Sequence, residues 1–360
     1  MTPWRCRVSR ASREARSHMT KRGAPSPWTV PSHFAVFTGV DPWHVTVRSG
    51  GAAIHGTEAD ARAAVPRPRL RDAAIIANPT VSRESGFGAG FDEFTASRAS
   101  GVCRSAIGDL LSRLWLHDLP RSPLCGWLIA PEITDHAVRF IRRTRRPYFL
   151  TLNYMDAHDP YYVPVDCGPH PLRRAEHVAY LDGDLRLAAR AREQYRAAMR
   201  CMDRSLGTLF AALERDPDYA TTTVIAVGDH GEQFGELGKT RHGNSVYRPV
   251  LQVPLIVRIP GQKAARLTSP ISITDIHPML LGLSARRPVV SFYQRENEGA
   301  FSAVVGDHQL IRDRDGHETV FVRNGGEADP AAVRAARNAI NRELAAQRGT
   351  GEFRALGYLQ

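Results

Sequence analysis

Apolar and polar positions in this chain switch between two periods. Residues 221–227 form a β-branched apolar run that breaks at Gly228, and 255–257 give a second short run. Bounded runs of this kind predict buried strands. Residues 72–77 and 148–154 predict two more, the first ending at Asn78-Pro79 and the second running into 155–161. Helical spacing appears at 133–141 and again in Tyr195, Ala198, Met199, Met202, Leu206, Leu209, Phe210 and Leu213, where the methionines read as core. This second helix precedes the 221–227 strand, a helix-to-strand unit of the parallel-sheet kind. Downstream, the alternation in 302–322 predicts a small antiparallel sheet, and 330–347 an Ala/Arg helix with Pro330 near its start.

At 360 residues the chain can bury a large core, and 42% hydrophobic with 24% charged residues marks a folded protein. No apolar run approaches the ~20 residues of a membrane span. The basic N-terminus has no apolar segment behind it, so no secretory leader is expected and the default location is cytoplasmic; a lost N-terminus could have carried one. The formal charge of +11 raises the question of nucleic acid. The basic residues are almost all arginines scattered along the chain, the lysines being Lys21, Lys239 and Lys263, so no nucleic-acid partner is expected. Five widely spaced cysteines without a C-x-x-C pair predict free thiols. Oligomeric state has no readable signal.

Candidate chemistry sits where the strands end. In an open α/β sheet the ligand crevice lies at the carboxyl ends of the strands. Asp229 and His230 follow the 221–227 strand there, an oxygen and a nitrogen donor suited to a divalent metal. Taken alone, the pair reads equally as a turn cap and a buried histidine. His242 follows in a Gly-flanked loop. Thr29 stands before Pro31, Ala35, Phe34 and Phe37, which can start and pack a helix; it is either a plain N-cap or a group placed at a helix N-terminus that favours anions.

These segments together resemble the sulfatase branch of the alkaline-phosphatase superfamily. The matching pieces are Asp229-His230-Gly231-Glu232, His242-Gly243 and Val253-Pro254-Leu255-Ile256, preceded by Thr29-Val30-Pro31-Ser32-His33 with Thr38-Gly39, and by Asp156-Ala157-His158. The resemblance covers 25–330 and implies an alkaline-phosphatase-like α/β sandwich around a mainly parallel sheet, with a small antiparallel C-terminal subdomain. It implies Thr29 as nucleophile and Asp229 and His230 as ligands of one divalent metal, Ca2+ or Mn2+. His158, Asn78, His33 and Lys239 would contact the substrate's oxygens, and His242 would protonate the leaving oxygen. Asn78 reads equally as a turn residue. Cys6-Arg7-Val8-Ser9-Arg10 resembles the formylglycine signature but has valine in place of proline and lacks the following Thr-Gly. Thr29 cannot yield that aldehyde, because its β-carbon already carries a methyl group, so direct attack by its hydroxyl is implied.

One part of the family pattern is missing. Relatives carry a first strand ending in paired metal-binding aspartates before the nucleophile, whereas Glu14 is the sole acid ahead of Thr29. A displaced start codon, a frameshift or a decayed gene would explain the loss. The expected division is an unpatterned segment 1–24, an N-terminally truncated catalytic domain 25–285, a C-terminal subdomain 286–330, and a helix and tail 331–360. The expected function is metal-dependent hydrolysis of sulfate or phosphate esters of a small molecule, glycan or lipid; the alternative is an inactive member that keeps the fold but not the metal site.

Overall fold

The computed structural model describes residues 22–44, 46–47, 54–55, 70–97, 128–145, 147–161, 163, 167, 172–263, 265, 270–280, 282, 288–295, 298–323 and 325–350. Cys6, Cys103, Cys125, Glu14, Lys21 and most of the loop-rich passage 50–68 lie outside them. In chain order the elements used below are β1 (Arg22–Gly23), α1 (Thr29–Thr38), β2 (Arg71–Ile76), β3 (Glu93–Ala96), α2 (Ala130–Arg143), β4 (Tyr148–Asn153), α3 (Arg174–Leu181), α4 (Ala188–Glu214), β5 (Val224–Val227), α5 (Arg248–Leu251), β6 (Leu255–Arg258) and β7 (Ile271–Ser272). Then come β8 (Val289–Arg295), β9 (Glu298–Val305), β10 (His308–Asp313), β11 (Glu318–Val322) and α6 (Pro330–Thr350).

β2 is the centre of a three-stranded parallel sheet, with β3 on one edge and β4 on the other; Ala73 is level with Glu93 and Leu150. Both faces of β2 are covered, which is why its sequence is a continuous apolar run. Ala74 and Ile76 pack with Val30, Phe34 and Phe37 of α1 and with Phe87 and Phe91. Ile75 and Ala77 point the other way, onto Ile133, Ala137 and Ile141 of α2 and Leu209 and Leu213 of α4. Each such fully buried aliphatic side chain contributes about 1.5–3 kcal/mol relative to exposure. This is an α/β sandwich with helices on both faces of a parallel sheet.

α1 begins after Trp28, with Pro31 in the first turn, where a missing N–H costs nothing. It ends at Gly39, whose φ of 69° lets its N–H reach the Ala35 carbonyl. The strand predicted at 221–227 is β5, and it pairs antiparallel with β6, Leu255 opposite Val227. That corrects the parallel setting read from the preceding helix: β5 has α4 before it, but its ladder partner comes back from α5 in the opposite direction.

The C-terminal sheet is a four-stranded meander, β8-β9-β10-β11, that starts at Val289, before the predicted 302–322. α6 seals one face, its Ala336, Ala339 and Ile340 packing with Phe301, Ala303, Leu310 and Trp43. Residues 289–322 and α6 therefore share one core. Tyr293 and Ile311 join a second cluster with Val250, Val253, Leu255 and Ile273, which ties this sheet to the main body.

Three further expectations are corrected. Residues 22–24 are not patternless: Arg22 and Gly23 pair in parallel with Ile271 and Ser272, and Ala24 is fully buried. The predicted polar loop at 166–186 contains the helix α3. Cys167 and Cys201, expected as free thiols, are joined in a disulfide whose Cα atoms are 5.8 Å apart, well inside bridging range. Among the described residues, no helix is long and apolar enough to cross a membrane.

Among the described residues β4 is hydrogen-bonded to a strand on one edge only, and so is β5. All of β4 is half-buried, and Ala226 and Val227 of β5 and Ile256 of β6 are exposed. A bare strand edge beside exposed aliphatic side chains is a template for association. Ile256→Lys, which puts a charge on that face, is expected to lower the scattering from associated species at high protein concentration while leaving the unfolding midpoint within about 0.5 kcal/mol of the parent, as a surface substitution should. The turn after β5 rests on a close approach: the Gly231 N–H donates to the Val250 carbonyl at 2.8 Å, and a Cβ on Gly231 would run into the Pro249 carbonyl oxygen. Gly231→Ala is therefore expected to cost about 1–3 kcal/mol in a denaturant titration, as overpacking does.

Candidate active site

Four of the predicted residues are delivered to one place by three strand ends. Asn78 follows β2, His158 follows β4, and Asp229 with His230 follows β5. α1 brings the fourth group, Thr29, its first helical residue, 7% exposed.

Thr29 Oγ1 is the meeting point. Asn78 Nδ2 donates to it at 3.3 Å, and His230 Nε2 lies 3.3 Å from it. Asn78 is also the turn residue: its Oδ1 accepts from the Thr80 amide and hydroxyl at 2.9 and 2.7 Å. The turn reading of Asn78 holds, and accepting at Oδ1 leaves its amide nitrogen to face Thr29. Trp28, not Thr29, occupies the N-cap position, with extended backbone. Thr29 sits just inside the helix start, where unsatisfied N–H groups give a positive potential.

His230 Nδ1 lies 3.0 Å from the Gly231 carbonyl, which can only accept, so Nδ1 carries the proton. Nε2 is then a lone pair directed at Thr29 Oγ1 and at Asp229 Oδ2, 3.5 Å away. Asp229 Oδ1 accepts from the His230 amide at 3.0 Å. Burial pushes the Asp229 carboxyl up, but His230, His33 and that amide outweigh it and hold the group below its ordinary range. A histidine with one nitrogen fixed on a backbone carbonyl and the other bare is the form that binds metal. Separations of 3.3 and 3.5 Å among Thr29 Oγ1, His230 Nε2 and Asp229 Oδ2 suit neighbouring ligands of one ion with bonds near 2.0–2.5 Å. The donors fit a divalent cation, and they fill only part of its sphere. Among the described residues, the only trio of His, Cys, Asp or Glu ligand atoms within 4.8 Å of one another is the exposed Asp313, Asp315 and His317, so no third such group joins Asp229 and His230.

His33 is placed between the two halves. Its Nδ1 is 3.1 Å from the Thr29 carbonyl and 3.5 Å from Asp229 Oδ2, and its Nε2 is 3.2 Å from Asn153 Nδ2. Burial lowers its pKa, which keeps the ring neutral. Both ring nitrogens are thus engaged by the protein. His158, His230 and His242 converge: His242 stacks on His230 with ring centroids 4.3 Å apart and meets His158 edge-on at 4.7 Å. The predicted substrate contact Lys239 belongs to a tight turn closed by Gly235 N–H to the Lys239 carbonyl at 2.9 Å, and its side chain makes no hydrogen bond or ion pair with this cluster among the described residues.

Sequence reasoning passed over the groups that hold the cluster in place. Asn153, the last residue of β4, bonds His33 through Nδ2 and accepts the Asn78 amide at 2.9 Å through Oδ1. Glu232 reaches His242 Nδ1 at 3.1 Å. Burial drives the Glu232 carboxyl up to about 8, and burial also lowers His242. At neutral pH the proton of this pair therefore resides on Glu232. Asp159 anchors the loop of His158: it bonds His177 Nε2 of α3 at 3.0 Å and lies 3.5 Å from Arg241 Nη2. Burial raises Asp159, but the His177 hydrogen bond and charge outweigh it and keep it ionised. Position offered a signal for two of these, since Asn153 ends a strand and Glu232 lies in the Asp229–Glu232 run; Asp159 and His177 come together only in the fold.

Comparison with known proteins agrees with this fold. The sulfatase family model matches residues 87–285. An endo-4-O-sulfatase of Bacteroides thetaiotaomicron is 29% identical over 152 residues, 40% of this chain and 30% of the relative. The chain thus aligns to about a third of the length of the curated relatives it matches. Among solved structures, one determined in complex with its substrate D-glucosamine-2-N,6-O-disulfate superposes with a TM-score of 0.64 at 13% identity, covering 96% of this chain and 93% of the other. The phosphonate monoester hydrolase of Agrobacterium radiobacter gives 0.61 at 15%, covering 92% and 88%. With the family model spanning more than half of its residues, and with helices on both faces of a parallel sheet, this chain belongs to the sulfatase family.

Proposed function

We propose that this chain is a hydrolase of sulfate or phosphate esters in which the Thr29 hydroxyl attacks directly. The observation that carries the reading is the position of Thr29 Oγ1, at a helix start and 3.3 Å from both His230 Nε2 and Asn78 Nδ2. A divalent cation held by Asp229 and His230 would supply Lewis acidity, easing loss of the Thr29 proton and offsetting charge on a non-bridging oxygen.

The chain's own groups carry the rest. Thr29 Oγ1 gives its proton to solvent water as it forms the bond to sulfur or phosphorus, and the bond to the ester oxygen breaks. His242 gives the departing oxygen its proton, and Glu232, bonded to His242 Nδ1, is placed to replace it. Asn78 and His158 hold non-bridging oxygens, and the positive end of α1 adds to that stabilisation. Water then releases the oxyanion from Thr29. Substrates would be small-molecule, glycan or lipid esters.

A second reading is favoured by the donor count. With Asp229, His230 and Thr29 alone, a hard ion that takes six or more oxygens is held weakly. In that reading the chain keeps the family fold without turnover.

Metal titration separates the two. Under the first reading Ca2+ or Mn2+ at a hundred times its Kd stabilises the chain by about 2.7 kcal/mol in a thermal-shift assay, and Asp229→Asn removes the effect. Thr29→Ala then lowers turnover of aryl sulfates or phosphate diesters at least about a thousandfold, as loss of a nucleophile does. Undiminished turnover by Thr29→Ala rules out Thr29 as nucleophile, and the absence of any metal-induced shift selects the second reading.

A further inference from the structure

The hairpin between Glu232 and His242 carries a charged group that the proposed mechanism does not use. Its ladder pairs Gln233 with Arg241 and Phe234 with Thr240. The hairpin is firmly mounted. The Tyr180 hydroxyl donates to the Gln233 carbonyl at 2.9 Å, Ser245 Oγ donates to Gln233 Oε1 at 2.8 Å, and Phe234 is buried against Tyr161 and Tyr195. Arg241 ends the hairpin with a side chain that is 45% exposed.

Neighbouring side chains of an extended chain point to opposite faces. Arg241 breaks that alternation: its φ is 65°, a left-handed backbone uncommon for a residue with a Cβ and of the kind that clusters at functional sites. Arg241 and His242 consequently face the same loop. His242 meets the His158 ring at 4.7 Å, and Arg241 Nη2 lies 3.5 Å from Oδ2 of the next residue, Asp159. The carboxylate already has a hydrogen-bond donor in His177 Nε2, 3.0 Å from its Oδ1. At 3.5 Å the guanidinium stays beyond the roughly 2.7–3.2 Å of an N–H···O bond, so it offsets charge and keeps its donors open. Burial is the leading influence on the ionisation of Asp159, Glu232 and His242, and the Arg241 charge acts on all three. Among the described residues, Arg241 makes no hydrogen bond or ion pair with Thr29, Asn78, Asp229 or His230. The guanidinium thus stands beside the group that would protonate the leaving oxygen, outside the set gathered on Thr29.

We propose that Arg241 is a specificity-determining residue that selects esters whose alcohol part carries a second anionic group, a carboxylate or a further sulfate. The inference rests on the hydrolase reading above, which puts the departing oxygen at His242. A guanidinium takes such a group through paired N–H donors, with a geometry that an ammonium lacks. The half-exposed side chain meets it at the protein surface, where no buried charge has to be uncovered. A neutral alcohol part would leave those donors to water.

Isothermal titration of the full-length chain carrying Thr29→Ala, so that bound ester is not consumed, tests this in Mn2+ buffer at constant ionic strength. The ligands are 3-carbamoylphenyl sulfate, which is neutral on its alcohol part, 3-carboxyphenyl sulfate, and the disulfate of 1,3-dihydroxybenzene. At least one of the two charged esters should bind at least about tenfold tighter than the neutral one, and Arg241→Gln on the same background should bring the Kd values within about threefold of one another, as loss of a charged hydrogen bond does. The tighter of the two charged esters tells a carboxylate from a second sulfate. Turnover of the same esters is measured in parallel with Thr29 intact. A charge preference in binding without turnover of any ester supports the role of Arg241 and sets aside the hydrolase reading. Turnover with charged and neutral esters bound alike does the reverse. The proposal is overturned by that second result, by the absence of saturable binding, by a preference that Arg241→Gln keeps, or by one that Lys239→Gln removes in its place.

Discussion

The hydroxyl of Thr29 depends on a constraint in the sheet strand that leads to its partner Asn78: β2 is buried on both faces. Its Ile75 and Ile76 point to opposite helical layers, so α1 on one side and α2 with α4 on the other are held at fixed height. Asn78 then leaves the sheet at a set position, and α1 delivers Thr29 to it. A slip of β2 by one residue would exchange its two faces and separate the pair. The geometry at Thr29 is in this sense a product of core packing, and the polar contacts refine it.

The histidines add a second layer of control. His33, His158 and His230 each have Nδ1 within hydrogen-bond reach of a backbone carbonyl, and His242 has Glu232. The rings of His33, His158 and His230 are thereby fixed in orientation and tautomer by a backbone acceptor, and that of His242 by the Glu232 carboxyl group. For His230 the nitrogen that remains, Nε2, is the one that faces Thr29. Burial lowers His33 and His242, which favours the neutral form of both rings. The charge that is kept, on Asp229, is the one an ion or a cationic partner would use.

Much of this could be read from residues in order. The double-sided apolar run of β2, the strand ending at Asn153, and Asp229-His230 after the 221–227 run are local patterns, and local patterns survive in sequence. What escaped was decided by contact. The 174–181 segment is a short helix among polar residues, with Tyr180 buried against the Gln233 carbonyl, and no period over eight residues reveals it. Arg22 to Ala24 owe their order to Ile271, Ser272 and Leu251, more than two hundred residues away in sequence. Cys167 and Cys201 are too far apart in sequence for spacing to indicate a bridge. The antiparallel return of β6 onto β5 depends on where α5 turns the chain, which periodicity does not encode.

The bare strand edges and the partial donor set have one geometric root. β4 and β5 both carry their C-terminal residues to the Thr29 cluster: Asn153 reaches His33, and Asp229 reaches His33 and His230. Any strand laid in parallel along the open edge of either would bring its own C-terminal residues to the same place. Among the described residues, the one-sided pairing of β4 and β5 and the short donor set at Asp229 and His230 therefore belong together, since a single extended segment ending in carboxylates would meet both. Its first effect would be on packing, by covering the exposed aliphatic face of β5 and β6, and its second on charge. A cation held by Asp229 and His230 would thus be coupled to the strand edges that end beside it.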